Sequence, residues 1–181
     1  MLRALADHQV EWVLSGSAVL AVYGAPLSPN DLDVVPALDP VNLRRVAALL
    51  TSLDAVPAHV PEWEQSLSVS QCRQWRPDPP TEQQLDHLFV TRLGMLDIPP
   101  RLTGTHDQLL PTATRLDLAG VPVWVCDPDE VLRRLPQPPR AKDRDRATAY
   151  AMLRARLRTD RRPVGLTRFI PTTDQSGTGR H

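Results

Sequence analysis

Two carboxylates, Asp31 and Asp33, interrupt the aliphatic run Asn30-Asp31-Leu32-Asp33-Val34-Val35. Nothing else in the chain restricts its fold as strongly. Successive side chains of a β-strand point to opposite faces, so in an extended run Asp31 and Asp33 share a face. Two anions side by side repel, and burying them among Leu32, Val34 and Val35 is costly unless a cation lies between them. Hard oxygen donors of this kind suit Mg²⁺, which takes one or two carboxylates and fills its shell with water and substrate phosphate. Upstream, the apolar run Val10-Glu11-Trp12-Val13-Leu14 closes on Ser15-Gly16-Ser17, and an Ala/Val/Leu-rich segment then runs to Gly24. A glycine turn entering a helix gives close backbone approach and free N–H groups, which favour an anion.

Further along lie Leu93-Gly94-Met95-Leu96-Asp97-Ile98, the segment Val121 to Val125, Asp127-Pro128-Asp129-Glu130-Val131-Leu132 and Arg140-Ala141-Lys142-Asp143. With Gly16-Ser17 and Asp31-Leu32-Asp33 in this order, the chain resembles the nucleotidyltransferase superfamily, the DNA polymerase β-like fold. Within it the chain is similar to the minimal and abortive-infection-type toxin members. The likeness spans roughly residues 10 to 158. It implies a small α/β domain, a nucleotidyltransferase-like mixed β-sheet covered by helices, with no second catalytic domain. It also implies that Asp31, Asp33 and Asp97 are the catalytic and metal-binding carboxylates for two Mg²⁺ ions. Gly16, Ser17, Arg140 and Lys142 would then bind the NTP. One departure stands out: many members carry an Arg-x-Thr-x run before the first aspartate, and this chain reads Leu27-Ser28-Pro29-Asn30.

The implied activity is transfer of a nucleoside monophosphate from an NTP, ATP among them, to an acceptor hydroxyl. That acceptor could be tRNA or a protein in a toxin–antitoxin pair, with a cognate antitoxin as partner. A small-molecule antibiotic acceptor stays open, as does a non-catalytic module that binds nucleotide or a partner through a degenerate site.

At 181 residues and 41% hydrophobic content, the chain suits one ordinary folded domain with a real core. No apolar run approaches the ~20 residues that span a bilayer. The first nine residues lack the apolar centre of a secretory signal, so no membrane partner and a cytoplasmic location are expected. Cys72 and Cys126 form neither a disulfide framework nor a zinc spacing, and the five histidines are scattered singly. Net charge is zero, yet residues 140–162 hold nine basic residues against three acidic ones. Such a segment either holds phosphate or nucleic acid, or is a solvated helix face.

The pattern predicts a short helix over residues 2–9, a strand over Val10–Leu14, a helix over Ala18–Tyr23 and a strand over Asp31–Val35. Asp39-Pro40 opens a helix, with Val41, Val46, Leu49, Leu50 and Leu53 as its buried stripe. Residues 54–82, punctuated by prolines and carrying Trp63 and Trp75, lack periodicity. They either shape an acceptor pocket or are pinned to the core by the tryptophans. Strands follow at Leu88–Thr91 and Met95–Ile98, then a hairpin through Ala119-Gly120. A short helix capped by Asp127 and a single final helix, about Asp143 to Arg158, end the domain at residue 162. Residues 163–181 are expected to be a disordered tail.

Overall fold

A computed structural model describes residues 1–63 and 66–165; all of the expected tail beyond residue 165 lies outside the described residues. In chain order the elements are α1 (Leu2–Asp7), β1 (Trp12–Leu14), α2 (Gly16–Val22), β2 (Leu32–Pro36), α3 (Pro40–Ser52) and β3 (Val56–Pro57). Then come α4 (Val69–Gln74), α5 (Glu82–Leu85), β4 (Leu88–Thr91), β5 (Gly94–Asp97), α6 (His106–Leu109), a 3-10 turn (Leu110–Thr112), β6 (Thr114–Leu118) and β7 (Val121–Val125). Three helices close the fold: α7 (Pro128–Arg133), α8 (Ala141–Asp145) and α9 (Ala147–Leu157).

The seven strands form one sheet in the order β3-β4-β5-β2-β1-β7-β6. It is mixed: β1 runs antiparallel to β2 and parallel to β7, while β2 runs parallel to β5. The expected mixed α/β architecture is therefore what the chain adopts. The parallel β2–β5 pair needs a crossover, which residues 37–93 supply with α3 and two short helices. Helix α2 packs on β2 and α7, and α1 packs on β7. Leu14, Val19, Leu20, Val34, Leu49, Phe89 and Leu96 are fully or almost fully buried between these layers. None of the described helices is long and apolar enough to cross a membrane.

The capping signals are realised as hydrogen bonds. The Asp39 carboxylate accepts from the Val41 and Asn42 amides, and Asp127 accepts from that of Asp129. Ala119 (φ 56°) and Gly120 (φ 77°) make the tight β6–β7 turn, the left-handed pair that suits a two-residue hairpin.

Three expectations need correction. Val41 is 49% exposed; the buried position is Asn42, whose amide donates to the Glu11 and Ala37 carbonyls and accepts from the Glu11 amide. A buried amide fully satisfied by main-chain partners can occupy a core position, and apolar periodicity is blind to it. The final helix is two, because the chain bends at Arg146 between α8 and α9. Residues 54–82 are not without structure. They hold β3 and α4, whose Ser68–Gln71 capping box satisfies both end amides, and α5 begins at Glu82.

Candidate functional site

Chain register brings the carboxylates together. In the parallel β2–β5 pair Leu32 lies opposite Leu96 and Asp33 opposite Asp97. Paired residues on neighbouring strands project from the same face, so Asp97 joins Asp33 although 63 positions separate them in the sequence. Asp31 directly precedes β2 and falls on that face by the two-residue period. One carboxylate oxygen from each of Asp31, Asp33 and Asp97 lies within 4.8 Å of the others.

Gly16 lets this happen. Its φ is +61°, and a Cβ built there would sit 1.9 Å from Asp33 Oδ2. The Asp33 side chain thus occupies the space any other residue would fill. The Ser17 amide favours the charged form of the Asp33 carboxylate, and the Ser15 amide donates to the Asp33 carbonyl at 3.0 Å. The Gly-Ser turn that reads as a phosphate cradle is, in this state, also the seat of Asp33.

Burial pushes the Asp33 carboxyl up to about 7, with the nearby Asp31 and Asp97 charges adding to the effect; Lys142 and the Ser17 amide pull the other way. Asp97 rises to about 6, again through burial first, then Asp31 and Asp86, opposed by Lys142. Three crowded carboxylates, two of them reluctant to ionise, are what a dication would relieve.

A cavity of about 160 Å³ opens over the triad. Typical small-ligand pockets are roughly 300–1,000 Å³, so a ligand would lie partly in its open mouth. Gly16, Ser17, Asp31, Asp33, Asp97, Arg140 and Lys142 all line it. The exposed Lys142 ammonium reaches the carboxylates through its field, whereas Arg140 is bound differently. Its guanidinium pairs with Asp143 at 2.7 Å, and Asp143 also accepts from the Tyr150 hydroxyl at 3.2 Å. Burial opposes ionisation of Asp143, but Arg140, Tyr150 and Lys142 together hold its carboxyl below the ordinary range. Asp143 therefore positions Arg140. The i, i+3 spacing of the two in Arg140-Ala141-Lys142-Asp143 is the signal that points to this pair.

Arg134, Arg146, Thr103, Trp63 and Leu102 also line the cavity, and sequence patterning singled out none of them as site residues. Thr103 and the fully buried Ser15 share a hydroxyl–hydroxyl hydrogen bond beneath it, and the Cys126 thiol points at Ser15 Oγ (3.9 Å). Burial pushes that thiol up to about 12, which makes it a poor nucleophile at neutral pH. Cys72 is likewise buried and free. The two tryptophans of residues 54–82 separate clearly. Trp75 stacks 5.0 Å from Phe89 and donates to the Gln84 carbonyl, pinning its loop, whereas Trp63 is half exposed in the cavity wall.

No protein-family model matches the chain, and no curated protein does. Among solved structures it is similar to the antibiotic-resistance factor ANT(2'')-Ia, at 12% identity over 87% of this chain and 86% of that chain, with a TM-score of 0.46. A likeness at that level decides nothing about activity. The functional reading therefore rests on the carboxylates and their surroundings.

Proposed function

We propose that the protein is a Mg²⁺-dependent nucleotidyltransferase, moving a nucleoside monophosphate from an NTP to an acceptor hydroxyl, with residues 1–162 as the catalytic domain. The observation that carries this reading is the register match of Asp33 with Asp97, which closes a three-carboxylate cluster with Asp31 against the Gly16 turn. An all-oxygen, strongly anionic donor set suits Mg²⁺ and suits softer metals poorly. Bound there, Mg²⁺ would polarise phosphate oxygens and acidify the acceptor hydroxyl.

Asp31 and Asp33 would hold the metal. Asp97, paired in register with Asp33, would complete the metal site on the acceptor side, where its carboxylate is placed to take the acceptor proton. The acceptor oxygen bonds to the α-phosphorus, the bond from that phosphorus to the bridging oxygen breaks, and pyrophosphate leaves. Lys142 neutralises charge on the β- and γ-phosphates, Arg140 does so while held by Asp143, and the Ser17 hydroxyl and Gly16 backbone bound the phosphate path. Arg146 lines the same cavity and donates to the Ser28 carbonyl at 3.2 Å. It brings a guanidinium to the Leu27-Ser28-Pro29-Asn30 loop, which has no cation of its own.

Incubation with α-labelled ATP, Mg²⁺ and a cell extract tests the reaction class. The expected result is label on an acceptor with stoichiometric pyrophosphate, both lost in EDTA. Release of labelled ADP in place of pyrophosphate, or metal-independent labelling, would contradict the proposal. A tRNA or protein acceptor would place the protein with toxins that have a cognate antitoxin, a small alcohol with antibiotic-modifying enzymes.

A further inference from the structure

The two edges of the sheet are unlike. At one end β3 is short, Val56–Pro57, and its proline has no N–H to offer a new neighbour. At the other end lies β6, Thr114-Arg115-Leu116-Asp117-Leu118, longer and without a proline. One side of β6 pairs with β7, and no strand lies beyond the other side among the described residues.

The pairing with β7 decides which β6 groups face outward. Asp117 lies opposite Pro122, which has no amide hydrogen, so theirs is a non-hydrogen-bonded pair. Such pairs alternate along an antiparallel ladder, and Arg115 opposite Trp124 is the next one. The tight Ala119-Gly120 turn agrees, because the pair flanking it, Leu118 and Val121, is the hydrogen-bonded closing pair of such a hairpin. The amides and carbonyls of Arg115 and Asp117 therefore point away from β7. Outside the ladder they have no main-chain partner among the described residues. Their side chains are exposed and opposite in charge. The Asp117 carboxylate accepts from the Gly120 amide at 2.8 Å, and the Arg115 guanidinium stands 5.8 Å from the centre of the Trp124 ring; neither forms a salt bridge among the described residues.

We propose that β6 is a self-pairing edge: two copies of this chain dimerise by joining their β6 strands antiparallel about a two-fold axis at Leu116. Main-chain bonds form only where outward-facing residues meet, so the open registers differ by steps of two residues. An axis at Arg115 sets guanidinium against guanidinium, and an axis at Asp117 sets carboxylate against carboxylate. An axis at Leu116 places Arg115 opposite the partner's Asp117, twice over by symmetry. Each of those pairs exchanges both of its main-chain hydrogen bonds. Charges on an edge strand ordinarily discourage pairing; here their opposite signs make one register self-complementary. On the other face of the sheet the half-buried Leu116 meets its own copy, which extends the apolar row begun by Val123. A single short strand on each side is a small interface, so the dimer is micromolar and concentration-dependent. It leaves the carboxylates free, because β7 and β1 stand between β6 and β2.

Sedimentation velocity of the full chain from about 1 µM to about 1 mM should show monomer converting to dimer. Arg115→Asp and Asp117→Arg should each raise the dimer Kd about tenfold or more, since the axis makes every change count twice. An equimolar mixture of the two variants should dimerise about as tightly as the parent, because a strand of like charges then faces one of the opposite sign. Hydrogen exchange on the parent should find the Arg115 and Asp117 amides protected at high concentration and open at low. A parent that stays monomeric throughout, with both amides exchanging freely, would overturn the proposal and leave the edge to a foreign strand. A dimer that both variants keep would also overturn it, as would a mixture no tighter than either variant alone. Should a variant fail to fold, the exchange pattern of the parent still decides.

Discussion

Gly16→Ala is expected to cut nucleotidyl transfer by about 10²-fold, because a catalytic carboxylate displaced by roughly 1 Å costs that much. The new methyl would fall 1.9 Å from Asp33 Oδ2, so either the carboxylate moves or the turn does. The φ of +61° adds left-handed backbone strain for a residue with a Cβ, worth about 1–2 kcal/mol. Gly24→Ala is the control. Gly24 also has positive φ (+96°), but its added Cβ would meet only the flexible end of Arg156, at 3.1 Å. Gly24→Ala should therefore lower the melting temperature while leaving the rate close to the parent's. Equal loss of activity in both variants would mean that Gly16 matters only for stability.

Asp33→Asn should separate stability from function. The Asp33 carboxyl is raised from 3.8 to about 7 by burial and by its two neighbours. A raised acid binds its proton more tightly folded than unfolded, so its stabilising contribution is complete below pH 3.8. It is lost as pH rises toward about 7, where the folded state must ionise too. In EDTA the parent should consequently lose melting temperature between pH 5 and pH 8. Asp33→Asn, which carries no charge to bury, should melt higher than the parent at pH 8 and close to it at pH 5. Mg²⁺ should raise the parent's melting temperature at pH 8 by mass action on the folded state and leave the variant's unchanged. Transfer by the variant should fall about 10³-fold or more, the scale of losing a metal's charge stabilisation. A variant that melts lower than the parent at pH 8 in EDTA would show that Asp33 is satisfied without a cation.

The parts of this site readable in the sequence are those set by local periodicity. Asp31 and Asp33 share a face because strands repeat every two residues, and the Asp39 and Asp127 caps follow from an acid placed before proline. Asp97 is a non-local matter. That it meets Asp33 depends on the register of two parallel strands joined by a long crossover, which no spacing encodes; the family resemblance alone pointed to it. Local patterns also misled where a polar side chain found main-chain partners. Asn42 is buried with three hydrogen bonds while Val41 faces solvent. The split at Arg146 escaped because the apolar stripe Tyr150, Leu153 and Leu157 lies wholly in α9, whereas α8 buries only a polar residue, Asp143, so no apolar period marks where one helix ends and the next begins. Trp63 and Trp75 look alike in a proline-rich run. Only the fold shows that one stacks on Phe89 and the other borders the cavity.

Isothermal calorimetry of the parent against a non-hydrolysable ATP analogue, with Mg²⁺ and with EDTA, tests the central claim most directly. The carboxylate cluster should make binding metal-dependent, and Asp31→Asn combined with Asp33→Asn should abolish the Mg²⁺-dependent heat while the variant remains folded. Binding that persists in EDTA, or that survives unchanged in the folded double variant, would contradict the assignment of Asp31, Asp33 and Asp97 as a metal–nucleotide site.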